Sequence, residues 1–149
     1  MSGNDGRRIT EVLLSYWTEL KGDRLFPTAS EISPKALEDI WDSCFMLKLI
    51  DDPEEEDEYK YTYLGSSIIA AYGDNLTGAN VYTSLMSPSS GRITDFFDRV
   101  VYSKKPLIEE SEFLNIQNVI IRYRQCVLPL GDTNDKVDHL LGGMRWVAG

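Results

Sequence analysis

Residues 65–103 separate two groups of strand-like segments, and no other feature of the sequence constrains the fold as strongly. This central region contains short helix-like pieces interrupted by residues that break helices. The pieces are Ser66–Tyr72, Val81–Met86 and Gly91–Ser103, and the breaks are Gly73, Asn75, Gly78, Asn80 and Pro88. Strands on both sides of a block of short helices predict an α+β fold, in which an antiparallel sheet is covered on one face.

Two strands are predicted before this region and three after it. Cys44–Ile50 is rich in bulky apolar side chains, and Tyr59–Tyr63 alternates between tyrosines and polar residues. The alternation predicts that Tyr59, Tyr61 and Tyr63 share one face, and the two strands are most simply an antiparallel hairpin. The three later strands are predicted at Leu107–Leu114, Val119–Leu130 and Val137–Val147. A glycine pair in the last of them, Gly142–Gly143, predicts a bulge or a close backbone approach.

The N-terminal part of the chain is predicted to form an amphipathic helix over Arg7–Lys21, with Asn4 or Asp5 as its cap and Gly22 at its end. Its apolar residues fall on one stripe: Ile9, Val12, Leu13, Tyr16, Trp17 and Leu20. Burying six such side chains is worth about 10 kcal/mol in transfer free energy. The stripe must therefore cover either the domain's own sheet or a second copy of the helix. These six residues are a candidate dimer or partner interface, and we expect a homodimer.

Ser33 followed by Pro34 predicts the start of a second, short helix. Its apolar face would contain Leu37, Ile40 and Trp41. We therefore divide the chain into an N-terminal helical extension, residues 1–42, which acts as a cap or a dimerisation element, and a core, residues 43–149.

The charge and hydropathy of the chain argue against nucleic acid and membranes as partners. The formal net charge is −9, which opposes binding to phosphate backbones. Seven of the acids lie in one run, Asp51–Glu58, which is interpreted as a solvated loop or else as a docking spot for a basic partner or a cation. No segment approaches the roughly 20 apolar residues of a membrane span. The N-terminus has no apolar signal segment, so we expect a cytoplasmic protein.

No residue pattern indicates an enzyme or a metal site. Ser66 follows Gly65, but a nucleophile elbow needs glycine on both sides of the serine. With two cysteines, Cys44 and Cys126, and one histidine, His139, a metal site would need carboxylates to complete it. Both cysteines lie in apolar strand-like runs and are predicted to be buried free thiols.

The order of these elements resembles that of a PAS domain. The local sequence resembles a bacterial PAS subfamily that carries an added N-terminal helical segment and often stands alone. The matching pieces are LLSYWTELKGDRLFPTASEISPKAL, YKYTYLGSSIIAAYGDNLTG, YRQCVLPLGD and VDHLLGG. The resemblance implies a five-stranded antiparallel sheet with short helices on one face, joined by the N-terminal amphipathic helix. It also implies that the last strand lies between the first and the fourth, which places Cys44 and Cys126 roughly 10 Å apart and beyond disulfide reach.

In PAS domains the short helices and the sheet enclose a pocket for a small ligand or a cofactor, and the resemblance implies such a pocket here. The candidate pocket residues are Tyr61, Tyr63, Tyr72, Phe96, Phe97, Arg122, Arg124 and Cys126. Arg122 and Arg124 project the same way from one strand. They either pair with Glu110 and Glu112 on the preceding strand or anchor an anion, in which case the expected ligand is a small acid.

No cofactor is predicted, and flavin and haem are both disfavoured. PAS domains of flavin photoreceptors present a reactive cysteine in an Asn-Cys-Arg-Phe-Leu setting, and neither Cys44 nor Cys126 has that context. Haem-binding PAS domains need an axial ligand, usually a histidine from the helical side. His139 instead lies on the last predicted strand.

These observations predict a stand-alone PAS sensory or interaction module in signal transduction, which binds a small ligand, a regulatory protein or both, and which is not an enzyme. Only Ala148–Gly149 follows the last predicted strand, so we expect the signal to pass through a noncovalent partner. The resemblance implies a histidine kinase or another signalling protein in that role. Two alternatives stay open: an adaptor whose pocket is filled by its own side chains, and a small α+β enzyme.

Overall fold

The computed structural model describes residues 4–50, 59–79, 94–132 and 134–149. Within them, five strands form one antiparallel sheet: β1 (Cys44–Leu49), β2 (Tyr59–Leu64), β3 (Leu107–Leu114), β4 (Ile120–Gly131) and β5 (Val137–Ala148). Three α-helices accompany the sheet: α1 (Asn4–Lys21), α2 (Ser66–Tyr72) and α3 (Thr94–Ser103). The predicted helix Val81–Met86, the start of the piece Gly91–Ser103 and the acidic run Asp51–Glu58 lie outside the described residues.

The strands lie in the order β2-β1-β5-β4-β3, and every neighbouring pair is antiparallel. The last strand therefore separates the first from the fourth, as the resemblance implied. The predicted fold class, an α+β arrangement built on a five-stranded antiparallel sheet, is confirmed. Because β5 is central, its side chains contact helices on both sides of the sheet.

Different helices cover the two faces of the sheet. Helix α1 covers what we call the outer face, and α2 and α3 contact the opposite, inner face. Cross-strand partners share a face, so the register places Cys44, Gly143 and Cys126 in one row on the outer face. It places Phe45 and Gly142 on the inner face. A ligand held between the sheet and the short helices would thus lie on the side of Phe45.

Gly142 and Gly143 allow close packing on both faces at the centre of β5. A Cβ atom on Gly143 would lie 2.5 Å from Leu13 Cδ1 and 2.6 Å from Ile9 Cγ2, both in α1. A Cβ atom on Gly142 would collide with the Phe45 ring on the inner face. Of the two possibilities predicted for this glycine pair, the structure shows the close approach.

Helix α1 packs on the outer face of its own sheet. Leu13 is fully buried, and Ile9 and Trp17 are 8% and 5% exposed. The Trp17 indole Nε1 also donates a hydrogen bond to the Pro129 carbonyl at 2.8 Å. The helix ends at Gly22, whose φ of +58° is the left-handed conformation expected of a terminating glycine.

The apolar stripe of α1 therefore covers the domain's own sheet. Its three buried residues, Ile9, Leu13 and Trp17, are not available to a second copy while the helix is docked. The other three residues of the stripe, Val12, Tyr16 and Leu20, are half-buried. The expected homodimer cannot use the whole stripe, which corrects the prediction of that interface.

The short helix predicted after Ser33 does not form. Residues 34–40 make successive turns, with hydrogen bonds from Leu37 N to the Pro34 carbonyl and from Ile40 N to the Leu37 carbonyl. A 3-10 helix, Trp41–Ser43, follows. Leu37 and Ile40 are still buried, because turns of this kind also place residues three apart on one side.

A β-bulge separates the tyrosines of β2. Tyr61 pairs with Leu47, whereas Tyr63 pairs with the preceding residue of β1, Met46, so two steps along β2 match one step along β1. Tyr63 is therefore on the outer face. Its ring stacks on Trp41 with centroids 4.4 Å apart, and its hydroxyl donates to the Trp41 carbonyl at 3.0 Å. The prediction that the three tyrosines share one face is wrong for Tyr63.

Candidate functional site

The inner face carries a continuous set of aromatic rings that joins β2, α2, β3 and β4. We call the four residues the inner aromatic cluster: Tyr61, Tyr72, Phe113 and Tyr123. Successive ring centroids are 5.4, 5.4 and 5.6 Å apart, within the range in which aromatic pairs attract one another. Tyr61, Tyr72 and Phe113 are all buried. The cluster is therefore a buried, ring-lined part of the core on the inner side of the sheet.

The Tyr61 hydroxyl is buried next to the Tyr72 hydroxyl, and no group among the described residues makes a hydrogen bond of normal geometry with it. Tyr61 is 1% exposed, and burial raises the pKa of its hydroxyl well above the usual value, with the adjacent Tyr72 as a smaller cause. The group is thus neutral and can both donate and accept a hydrogen bond. Leaving such a group unsatisfied costs about 1–3 kcal/mol. A polar atom delivered to this position would recover that free energy.

A polar network borders the cluster where β3 and β4 pair. The Glu109 carboxylate accepts hydrogen bonds from the Tyr123 hydroxyl at 2.8 Å and from Gln125 Nε2 at 3.0 Å. Arg99 of α3 lies 3.9 Å from the same carboxylate. Burial and then the charge of Glu109 raise the pKa of Tyr123, so its hydroxyl stays protonated and donates to Glu109. This edge of the inner face is polar and carries a negative group.

Helix α3 crosses the inner face of the sheet, and its Phe97 side chain packs against β1 and β2. The Phe97 ring lies 6.4 Å from the Phe45 ring and 5.5 Å from the Tyr59 ring. Phe96 is buried next to it. The Tyr59 hydroxyl donates to Asp98 Oδ1 at 2.6 Å, so this tyrosine, unlike Tyr61, makes a hydrogen bond of normal geometry.

The structure divides the predicted pocket residues between the two faces of the sheet. The residues on the inner side are Tyr61, Tyr72, Phe96 and Phe97. The residues on the outer face are Tyr63, Arg122, Arg124 and Cys126. Since the sheet itself separates the two sets, they cannot line one cavity. The arginines cannot anchor a small acid on the inner face, which corrects that expectation.

Both thiols are buried on the outer face, on either side of Gly143. Cys44 and Cys126 are free, and the register separates them by one intervening strand, as predicted. Burial raises the pKa of each thiol to about 12, so both are protonated and poor nucleophiles. Neither thiol can contact a group bound on the inner face.

His139 also lies on the outer face, away from the short helices. Its Nδ1 is 2.8 Å from Asp138 Oδ1. Within the described ranges, no group of three or more His, Cys, Asp or Glu side chains is placed to hold a metal ion. No described helix has both the length and the apolar character needed to span a bilayer.

Two contacts that the sequence reasoning missed fix α2 to the sheet at both ends. Trp146 Nε1 of β5 donates to the Ser67 carbonyl at 3.0 Å, at the start of α2. Asn115, directly after β3, donates from Nδ2 to the Ala71 carbonyl at 3.0 Å, near the end of α2. An asparagine that follows a strand is a common turn former, and this is the signal that could have identified Asn115.

A sheet in this strand order, with short helices against one face, defines the chain as an α+β domain. A family model described as PAS domain matches residues 7–145. The chain belongs to the PAS domain family. Domains of this family are sensory rather than catalytic, and the resemblance drawn from the sequence is confirmed.

Solved structures of light-oxygen-voltage (LOV) domains share the fold. One comes from a study of a flavin analogue, with 13% identity, 76% of this chain and 82% of that chain covered, and a TM-score of 0.59. The dark structure of the blue-light photoreceptor Aureochrome1 LOV is 13% identical, with 76% of this chain and 80% of that chain covered and a TM-score of 0.57. The LOV domain of a blue-light activated histidine kinase from Erythrobacter litoralis is 12% identical, with 72% of this chain and 96% of that chain covered and a TM-score of 0.55.

At these identities the likeness to LOV domains shows the fold alone. No curated protein sequence matches the chain. The predictions that it holds neither flavin nor haem, and that it is not an enzyme, stay predictions. The division into residues 1–42 and 43–149 also stays a prediction.

Proposed function

We propose that this PAS domain is a non-catalytic sensory module whose inner face binds a small ligand at the inner aromatic cluster. The observation that carries the proposal is the Tyr61 hydroxyl, which is buried among aromatic rings and makes no hydrogen bond of normal geometry in the described part of the chain. A ligand with one polar atom would satisfy this hydroxyl, and the rings of Tyr72 and Phe113 would contact its apolar body.

The proposed ligand is uncharged and largely apolar. Arg122 and Arg124 lie on the other face, so they offer no counter-charge to an acid on the inner side. Glu109, a carboxylate at the border of the cluster, is held by Tyr123 and Gln125 and pairs with Arg99 at 3.9 Å, so this edge offers no uncompensated positive charge to an acidic ligand. A planar molecule with a single hydrogen-bonding edge fits these conditions best.

Ligand binding would be relayed through α2. This helix contributes Tyr72 to the cluster, and hydrogen bonds from Trp146 and Asn115 tie its two ends to β5 and to the turn after β3. A shift of α2 would therefore move these parts of the sheet and change a surface that a partner protein binds. A separate signalling protein is the proposed partner, and a histidine kinase is one candidate because a structural relative is the LOV domain of such a kinase.

A thermal-shift screen of small, neutral aromatic compounds tests the proposal, with the full-length chain and two matched variants. A ligand at 100 times its Kd adds about 2.7 kcal/mol of stability to the wild-type protein. Tyr61→Phe should lose most of this gain. Without ligand, Tyr61→Phe should be neutral or stabilising, because it removes an unsatisfied buried hydroxyl.

Tyr59→Phe is the control for that experiment. It makes the same chemical change at a hydroxyl that donates to Asp98, so it should destabilise the free protein and leave ligand binding intact. Equal ligand responses in wild type and Tyr61→Phe would contradict the proposed anchor.

One observation favours a second function, a ligand-free protein-interaction adaptor. The four rings of the inner aromatic cluster already pack on one another. If the cluster is only core, no compound in the screen will stabilise the protein, and the domain would act through its surface alone.

A further inference from the structure

The end of strand β5 is paired on one side only. On the side of β4, its pairing continues to Ala148, which lies opposite Ile121. On the side of β1, its pairing ends at Gly143, which lies opposite Cys44. Among the described residues, no strand and no backbone hydrogen bond continues this second side beyond Gly143. Although β5 is a central strand, its residues 144–148 therefore form an open edge of the sheet.

The alternation of hydrogen bonds shows which backbone groups face this open edge. The Gly149 amide donates to the Ile120 carbonyl of β4 at 3.0 Å, and the register continues to place these two residues opposite each other. In an antiparallel pair, the N–H and C=O groups of one residue point to the same side, and successive residues alternate. Val147 therefore faces β4, as Gly149 does. Trp146 and Ala148 direct both of their backbone groups to the open edge.

A cavity of about 430 Å³ lies against this edge. Trp146 of β5 lines it, together with Ser67 of α2 on the inner side and Ile9 of α1 on the outer side. Ser43, in the chain that leads into β1, also lines it. Residues from both sides of the sheet can share one cavity here because no described strand closes the edge. The Trp146 indole Nε1 donates to Ser67 Oγ at 3.1 Å, which fixes the inner wall.

We propose that the open edge of β5 binds an extended peptide segment of a partner protein, which joins the sheet as a further strand in line with β1. An edge whose N–H and C=O groups face outwards is a template for an extended chain, and main-chain hydrogen bonds supply the affinity. Alternate side chains of the peptide would face Ile9 on the outer side and Ser67 on the inner side. The site is separate from the inner aromatic cluster, and either proposal can fail without the other.

Amide hydrogen exchange of the full-length chain, followed by NMR, tests the edge before any partner is added. Trp146 and Ala148 should exchange fast, whereas Arg145 and Val147 should be protected by their bonds to β4. A protected Trp146 amide in the free monomer would mean that the edge is already covered. A protected Trp146 amide in a dimer would assign the edge to a second copy of the chain. Either result overturns the proposal.

The binding probe is the acetylated and amidated peptide KTVTVTK, and the control is the same peptide methylated on the backbone nitrogens of its central residues. The first peptide should bind saturably and protect Trp146 and Ala148, with no further protection of Arg145 and Val147. The methylated peptide should bind about tenfold more weakly, because it lacks main-chain donors. No saturable binding of KTVTVTK, or equal affinities of the two peptides, overturns the proposal.

A variant that fills the cavity provides the matched comparison on the protein. Ser43→Phe places a ring in the space that the peptide would occupy and should weaken the binding of KTVTVTK by about tenfold. Ser103→Phe makes the same change at an exposed position of α3 and should leave the affinity unchanged. Equal affinities in wild type and Ser43→Phe would contradict this position of the site. If Ser43→Phe does not fold, the exchange pattern and the methylated peptide still decide.

Discussion

Single residues decide how closely the helices approach this sheet. Gly143 has no side chain, so Leu13 and Ile9 of α1 pack directly on the β5 backbone. Gly142 likewise lets the Phe45 ring pack directly on the β5 backbone, on the other face. The dipeptide thus lets side chains pack directly on both faces of β5.

Gly143→Ala should lower the free energy of unfolding by about 1–3 kcal/mol, because the new methyl group forces Leu13 and Ile9 outwards. Gly142→Ala should cost at least as much, since the Phe45 ring is fully buried and rigid. Gly149→Ala, where a Cβ atom meets nothing within 4 Å, serves as the control. Urea unfolding measures all three, and a Gly143→Ala protein as stable as the wild type would show that α1 does not pack this closely.

At the residue scale, the sequence predicted burial and close packing better than it predicted the face of the sheet on which a side chain lies. The burial of Cys44 and Cys126 followed from residue type and apolar context, and the close approach at Gly142–Gly143 was one of the two possibilities predicted there. The face of Tyr63 did not, because one extra residue in β2 reverses the side on which the next residue lies. Nor does alternation say which side of a strand meets the short helices, so the arginines could not be assigned to a face.

At the scale of elements, the contacts at the two ends of α2 matter most for the proposed relay. This helix has only seven residues, too few to be stable alone, so it depends on Trp146 at one end and Asn115 at the other. Asn115 Oδ1 also accepts hydrogen bonds from the amides of Gln117 and Val119, and the residue is 6% exposed. Its hydrogen bonds therefore connect α2 to the β3–β4 turn.

Asn115→Ala should lower the free energy of unfolding by about 2–4 kcal/mol, because it removes three hydrogen bonds and leaves buried partners unsatisfied. It should also uncouple α2 from the turn, seen as faster amide hydrogen exchange in Ser66–Tyr72. Gln117→Ala is the control: this exposed side chain makes one bond, from Nε2 to the carbonyl of Gly73, the residue that follows α2, at 2.9 Å. Equal effects of the two variants would mean that Asn115 has no special role.

Elements with a strong pattern were predicted closely, and those formed by tertiary context were not. The strand Leu107–Leu114 and the helix Ser66–Tyr72 have the predicted bounds. Turns replace the helix predicted after Ser33, and Leu37 and Ile40 are buried although the backbone there is not helical. The contacts of Trp146 and Asn115 join distant parts of the chain, and periodicity carries no information about them.

At the scale of the whole molecule, the sheet separates two surfaces with different chemistry. The inner face is aromatic and holds the buried Tyr61 hydroxyl, and the outer face carries the docked helix α1 together with Arg122 and Arg124. The element order predicted an antiparallel sheet, and the resemblance to PAS domains predicted its strand order. The allocation of functions to faces required the register of every strand.

Native mass spectrometry of the purified full-length chain tests the central claim most directly, that the inner face binds a small ligand. The protein is measured under native and denaturing conditions after incubation with the best compound from the screen, alongside Tyr61→Phe and Tyr59→Phe. The account predicts one ligand per chain in the native spectra of wild type and Tyr59→Phe, and little or none in Tyr61→Phe. Native masses without ligand in all three proteins, or equal occupancy in all three, would contradict it.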